Sequence, residues 1–344
     1  MLSVQVNSNT ILKNINTIKK RLRTGTKLCA VVKANAYGFG AVKIAHLLST
    51  VVDCFAVATV DEGLTLRNHG ITQDILVFGV CTDMASAVKY NLIITVESFT
   101  QAQALIKTQL QPRIHLAINS GMNRFGCGSV HELRQTLQLL HKAKIEGIYT
   151  HLAFESDQLP AVKIALERFQ KAVHICQQYF PHVIVHAGCS GVIDYPPAHF
   201  DMVRIGKAIY GGIDTTQTVI TVTSQIIAVK KIKAGTTVGY NGLYTAPRPT
   251  VVGVVHGGYA NGVPPQFSGK VNVLVGKQPC PVIGRVCMDC FFIDVGHVPN
   301  PLNRKVTLIA PYGTQTLCAI ARQAEMITCH LLLGFTGANN TQTK

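Results

Sequence analysis

LCAVVK, residues 28–33, is a short apolar run that stops at a lysine, and seven comparable runs follow it. They are CFAVAT (54–59), DILVFG (74–79), LIITV (92–96), RIHLAI (113–118), IEGIYTHLA (145–153), HVIVHAG (182–188) and MVRIGKAIYG (202–211). Stretches of helical period separate them: Leu133, Leu137 and Leu140 share one stripe, as do Val162, Leu166, Phe169, Val173 and Cys176. Alternating strands and helices predict a parallel sheet, and eight repeats predict a closed (β/α)8 TIM barrel with the stripes turned toward it. An opening helix carrying Ile11, Ile15, Ile18 and Leu22 on one side is expected before the first strand.

After residue 214 the pattern becomes one of alternating strands punctuated by Gly and Pro: TVITVTSQIIAVKKI, PTVVGVVHGG, KVNVLVG, VCMDCFFIDV and KVTLIA. The expected organisation is an α/β barrel over residues 8–214 followed by a C-terminal mainly-β domain over 215–344, with residues 1–7 pairing onto the latter. The polar tail GANNTQTK is expected to fray.

Composition narrows the function classes. With 47% hydrophobic and 14% charged residues the chain is a well-buried globular protein, not a disordered one. No apolar stretch reaches the roughly 18–20 residues of a membrane span and the N-terminus lacks a signal-peptide core, so the expectation is a cytoplasmic protein without membrane contact. The eleven cysteines suggest neither a zinc site nor a disulfide framework, and most are expected to be buried thiols. A net charge of +15 suits an anionic partner, but outside KKRLR (19–23) and KKIK (230–233) the basic residues are dispersed. No nucleic acid is therefore expected, and an anionic cofactor or substrate would use the same field.

Catalytic groups of a (β/α)8 barrel sit where its strands end. Lys33 ends the first strand, Arg124 follows the fifth, His151 ends the sixth, Ser190 follows the seventh and Arg204 lies in the eighth. A desolvated lysine is what Schiff-base chemistry requires. Taken singly, Lys33 also fits a rim lysine, His151 a satisfied core histidine, Ser190 a helix cap and either arginine an ion-pair partner. The loops GCSG (188–191) and RIGKAIYGG (204–212) stand where such barrels hold phosphate, and their glycines, Ser190 and Lys207 suit that use. A phosphorylated cofactor beside a strand-ending lysine suggests pyridoxal 5'-phosphate.

AVVKANAYGFG (30–40), FAVATVDEGLTLRNHGI, NSGMNRFG, THLA, VRIGKAIYG, GGYANG and GRVCMDC resemble, in order, the blocks of the alanine racemase family. The resemblance runs from about residue 26 to 296 and implies a barrel followed by a β domain. It further implies that Lys33 carries the cofactor covalently, and that Tyr37, Ser190, Gly206 and Lys207 bind its phosphate. Arg204 would face the pyridine nitrogen with His151 beside it as support. Arg124 would reach the cofactor phenolic oxygen and the substrate carboxylate, and the Met288 amide would help hold that carboxylate. Tyr259, lent by the partner subunit of a homodimer, would oppose Lys33 as the second base in the interconversion of L- and D-alanine for peptidoglycan. Racemisation needs one proton-transfer group on each face of Cα. A phenol titrates near 10, so a tyrosine base needs nearby cations, of which His151 is a candidate.

The chain departs from the family pattern at several positions. Ala117 replaces a lysine that in many members becomes carboxylated and braces the arginine; Asn119 and Asn261 stand for acids, Cys189 for an asparagine, Phe39 for a frequent histidine. The segment CHLLLGFTGANN lacks the familiar ending. Alternatives to an alanine racemase are therefore a racemase of broader specificity that also accepts serine, and a pyridoxal-phosphate-binding protein with little turnover.

Overall fold

The computed structural model describes residues 1–338 and the backbone of 342–343. Eight parallel strands close the barrel: β2 (Lys27–Val31), β3 (Cys54–Val57), β4 (Asp74–Val77), β5 (Ile93–Val96), β6 (Arg113–Ile118), β7 (Lys144–Thr150), β8 (Ile184–Cys189) and β9 (Met202–Ile205). Each falls within or beside one of the eight sequence runs. They stand after β1 (Ser3–Val6), and β9 pairs back onto β2 with Cys29 opposite Arg204. Several helices between the strands begin alike: Thr59, Asp83, Ser98 and Ser129 each accept, through a side-chain oxygen, the backbone N–H three residues on. Such caps satisfy an amide that the first helical turn leaves bare. Behind them the apolar stripes are buried as the periodicity predicts, from Leu133, Leu137 and Leu140 to Val162, Leu166, Phe169, Val173 and Cys176.

The remaining strands pair antiparallel, save β18, which pairs in parallel with β1, and β11 and β12 form a small sheet of their own: β10 (Ile220–Ile232), β11 (Thr237–Val238), β12 (Tyr244–Thr245), β13 (Thr250–His256), β14 (Asn272–Val275), β15 (Gln278–Ile283), β16 (Cys290–Asp294), β17 (Lys305–Ile309) and β18 (Gln342–Thr343). The long β10 receives β1, β13 and β17 along its length. The β reading of this half needs one addition, two helices at Leu317–Gln323 and Thr328–Ala338. Their buried Leu317, Ile320, Leu331, Leu332 and Phe335 follow a helical spacing that the strand pattern before them obscures.

The chain forms two compact units, Ile15–Ala36 with Gly40–Gly206, and Met1–Asn14 with Tyr37–Phe39 and Lys207–Lys344. The opening helix, Ser8–Lys19, buries Ile11, Ile15 and Ile18, while Leu22 lies past its end and is only half-buried. Of the tail expected to fray, Gly337 and Ala338 close the last helix and Gln342–Thr343 pair with β1; residues 339–341 and 344 lie outside the described residues. No helix among the described residues is long and apolar enough to cross a membrane.

Candidate active site

Lys33 stands just past β2, at the head of a turn the sequence did not announce. Ala34, Asn35 and Ala36 all adopt left-handed backbone angles (φ 52°, 52° and 53°), and Tyr37 follows at 56°. Left-handed conformations cost L-residues roughly 1–2 kcal/mol each, so the turn must be held. Four bonds do this. The Ala36 amide donates to the Val32 carbonyl at 2.7 Å, and Asn35 Oδ1 accepts the Ala41 amide at 2.8 Å. Glu62 clamps the base: its two carboxylate oxygens accept the amides of Ala34 and Ala58, both at 2.7 Å. The missed signal was Thr59-x-x-Glu62, which resembles a capping box. Here Thr59 caps the helix as that motif requires, while the Glu62 carboxylate turns to the lysine segment instead.

Around His151, immediately after β7, three of the positions singled out by strand counting, Lys33, Arg124 and Arg204, lie within electrostatic reach. Its imidazole is pulled down to about 3, by burial first and then by the charges of Arg204, Arg124 and Lys33. A ring in that field is neutral at pH 7, so His151 is not the cation expected to assist a tyrosine base. Ser190 is buried at the first position of a short 3-10 turn after β8, and Glu155 packs against the neighbouring Gly191.

Arg204 points into the barrel. Its guanidinium donates to the Thr150 carbonyl at 2.6 Å and to the carbonyl and Nδ1 of His186 at 3.0 and 2.8 Å, with Tyr149 beneath it at 4.9 Å. The support assigned to His151 therefore comes from His186, one strand away. An arginine can only donate, so His186 Nδ1 accepts and its proton lies on Nε2. That nitrogen meets His115 Nδ1 at 2.9 Å, which places the His115 proton on Nε2, an atom with no hydrogen-bond partner among the described residues. The same ring explains Gly147: a Cβ there would lie 2.6 Å from it. Burial lowers both histidines, His115 to about 3. Sequence reading missed this pair because a lone histidine on an apolar strand carries no signal of what it faces.

Arg124 is exposed beside the Phe125 ring. Asn119 builds its loop, accepting the amides of Gly121 and Asn123 at 3.0 Å each and donating to Asn123 Oδ1 at 2.8 Å. A neutral amide thus shapes the loop where an acid was expected. Ala117 is buried and pairs in register with Tyr149, whose hydroxyl lies 3.1 Å from that of Thr95.

The other compact unit carries the remaining positions. Tyr37 and Phe39 both pack on the buried Tyr210, at 4.8 and 5.1 Å, so Phe39 has an apolar role. Thr336, in the divergent C-terminal segment, donates to the Tyr37 carbonyl at 2.8 Å. Lys207 opens this stretch of chain, directly after Gly206. Tyr259 and Met288 are 47% and 58% exposed, large side chains left at the surface. Backbone bonds join them: the Tyr259 amide donates to the Cys287 carbonyl at 3.0 Å and the Ala260 amide to that of Met288 at 2.9 Å. Gly258 makes this approach possible, since a Cβ there would lie 2.1 Å from the Cys287 carbonyl. Asn261 accepts the Gly258 amide, a bond for which an amide serves as well as the expected acid. Among the described residues no cluster of potential metal ligands occurs.

Lysine and arginine charges gathered around an uncharged imidazole at a barrel mouth define an enzyme class, one that seats a small anion beside a reactive amine. The donor set fits a phosphorylated aldehyde cofactor. Family models of the alanine racemase N-terminal and C-terminal domains match residues 6–214 and 219–342. Alanine racemase of Streptococcus pneumoniae is 35% identical over 328 residues, 90% of this chain and 88% of that protein. The Bacillus anthracis alanine racemase structure with bound L-Ala-P superposes at a TM-score of 0.84, with 27% identity over 97% of this chain and 92% of that one. The Bartonella henselae alanine racemase structure with covalently bound pyridoxal phosphate gives 0.86, with 25% identity over 100% and 99%. The chain belongs to the alanine racemase family.

Proposed function

We propose that this protein interconverts L- and D-alanine with pyridoxal 5'-phosphate as cofactor, acting as a cytoplasmic homodimer that supplies D-alanine for peptidoglycan. One observation carries the reading: Lys33, Arg124 and Arg204 all bear electrostatically on His151, as an amine and two cations around one anionic cofactor would. Lys33 holds the cofactor covalently, and Tyr37, Ser190, Gly206 and Lys207 bind its phosphate. When bound, the cofactor supplies an electron sink for the pair left at Cα when its proton departs.

Arg204, fixed by His186 and Thr150, would face the pyridine nitrogen as a cation and keep a proton off it, which would weaken the electron sink the cofactor supplies and favour return of the proton to Cα over transamination. Arg124 and the Met288 amide orient the substrate carboxylate, while neutral His151 fills the space beside the ring without adding charge. Lys33 moves the proton on one face of Cα and Tyr259 of the partner subunit on the other. The exposure of Tyr259 and Met288 suits residues offered to a second subunit.

The test is to incubate the purified protein with pyridoxal 5'-phosphate and each L-amino acid in turn, and to resolve the enantiomers formed. Alanine should racemise fastest, and Lys33→Ala should abolish both turnover and the absorbance of the lysine-linked cofactor. Retention of that absorbance in Lys33→Ala would refute the assignment. Cofactor uptake with negligible turnover on every amino acid would show a binding protein instead.

A further inference from the structure

Cys287-Met288-Asp289-Cys290 is a C-x-x-C that the reading of scattered cysteines passed over. It forms the turn leading into β16, and the Cys287 amide donates to the Cys290 carbonyl at 2.9 Å. That bond ties the two backbones side by side only three residues apart in sequence, which keeps their Cα atoms near the span of about 4.4–6.8 Å that disulfides bridge. Both residues are half-buried, so solvent reaches them; the Cys287 thiol donates to the Arg285 carbonyl at 3.6 Å and lies near enough to Cys290 to bear on its titration. The arrangement does not extend to a metal site, because no third ligand joins the pair among the described residues.

The turn is bound along its length to the segment bearing Tyr259. The carbonyls of Cys287, Met288 and Asp289 accept the amides of Tyr259, Ala260 and Gly257 at 3.0, 2.9 and 2.7 Å. Any change in the turn's backbone therefore reaches Tyr259 and Met288 directly.

We propose that Cys287 and Cys290 form a reversible disulfide by exchange with a small-molecule disulfide, and that closing it shifts the Tyr259 segment and slows the enzyme. The first half rests on the thiol geometry alone; the slowing rests also on the proposed role of Tyr259. Cys287 Sγ, as thiolate, attacks the external disulfide, forming a mixed disulfide and expelling one small thiolate. Cys290 then loses its proton and attacks Cys287 Sγ, expelling the second. Two protein thiols are oxidised, and one external disulfide is reduced to two thiols. Burial, followed by the charges of Cys287 and Asp289, pushes the Cys290 thiol up to about 11, so little of it is thiolate at neutral pH and it attacks only in the second step, where the tethered mixed disulfide holds its target in place. Closure draws the sulfurs to about 2.0 Å and fixes the dihedral between them, so the turn must twist. Displacement of a reacting group by an ångström costs up to about a hundred-fold in rate.

The experiment takes the full-length cofactor-loaded protein through a titration with oxidised glutathione, then dithiothreitol. Peptide mapping by mass should find a Cys287–Cys290 crosslink two hydrogens lighter than the reduced peptide. Amide exchange at Gly257, Tyr259 and Ala260 should change by about ten-fold on oxidation, and racemase turnover should fall by about ten-fold or more, both restored by dithiothreitol. Cys290→Ser should retain its turnover and lose both responses. Failure to find the crosslink, or a crosslink that leaves the three amides unchanged, overturns the proposal. A reduced protein without racemase activity would instead overturn the proposed function, while the crosslink and exchange results would still decide the fate of the thiol pair.

Discussion

Replacing Glu62 by glutamine isolates the clamp beneath Lys33. The carboxylate accepts two amides at 2.7 Å, from Ala34 and Ala58, whereas a glutamine side chain offers one oxygen and turns an NH2 group toward the other donor. A hydrogen bond to a charged acceptor contributes about 1.5–3 kcal/mol, and Ala34 is exposed, so the loss should be near the lower end, about 2 kcal/mol. The left-handed angles of Ala34, Asn35 and Ala36 remain, holding roughly 3–6 kcal/mol of strain that the clamp no longer offsets. Opening of this turn should therefore become about thirty-fold more frequent, since 1.36 kcal/mol is a factor of ten. Amide exchange across Ala34–Ala36 reads this directly, and cofactor titration followed by absorbance reads its consequence at Lys33, a weaker uptake by a similar factor. Exchange within three-fold of the unaltered protein, with unchanged uptake, would show that Glu62 does not hold the turn.

The buried histidines predict a pH dependence of folding. His115 titrates at about 3 in the fold and near 6.5 unfolded, so between those values the unfolded chain binds the extra proton and stability falls as pH is lowered. Full stability lies above about 6.5; denaturant titrations in the window below it should show a slope that His115→Gln reduces by up to about 1.4 kcal/mol per pH unit. An identical slope in the variant would contradict a neutral buried His115. Gly38→Ala places a Cβ 2.2 Å from Thr336 Oγ1 at a φ of +83°, and should destabilise by about 2–4 kcal/mol in chemical denaturation. Adding Thr336→Ala should recover part of that loss, and no recovery would locate the strain in the backbone alone. Tyr259→Phe should impair Cα proton exchange more from one alanine enantiomer than from the other. Mixing it with Lys33→Ala should restore some activity once subunits exchange; equal losses, or no rescue despite exchange, would argue against shared two-base sites.

Eight apolar runs separated by segments of helical period were enough to predict the barrel, because strand and helix periods are local properties of the chain and the number of repeats limits how the sheet closes. Strand counting likewise assigned Lys33 and His151 to strand ends, Arg124 and Ser190 to the segments after strands and Arg204 to the eighth strand itself, and block order identified the family. The tertiary structure alone decided what surrounds them. That Arg204 leans on His186, which in turn meets His115, that His151 is neutral among cations, that Glu62 reaches back to the lysine turn and that the carbonyls of Cys287, Met288 and Asp289 hold the Tyr259 segment all depend on groups distant in sequence meeting across the fold. Local patterning encodes burial and period; the field at a group, and the partner of a hydrogen bond, are set by neighbours that only folding brings within reach.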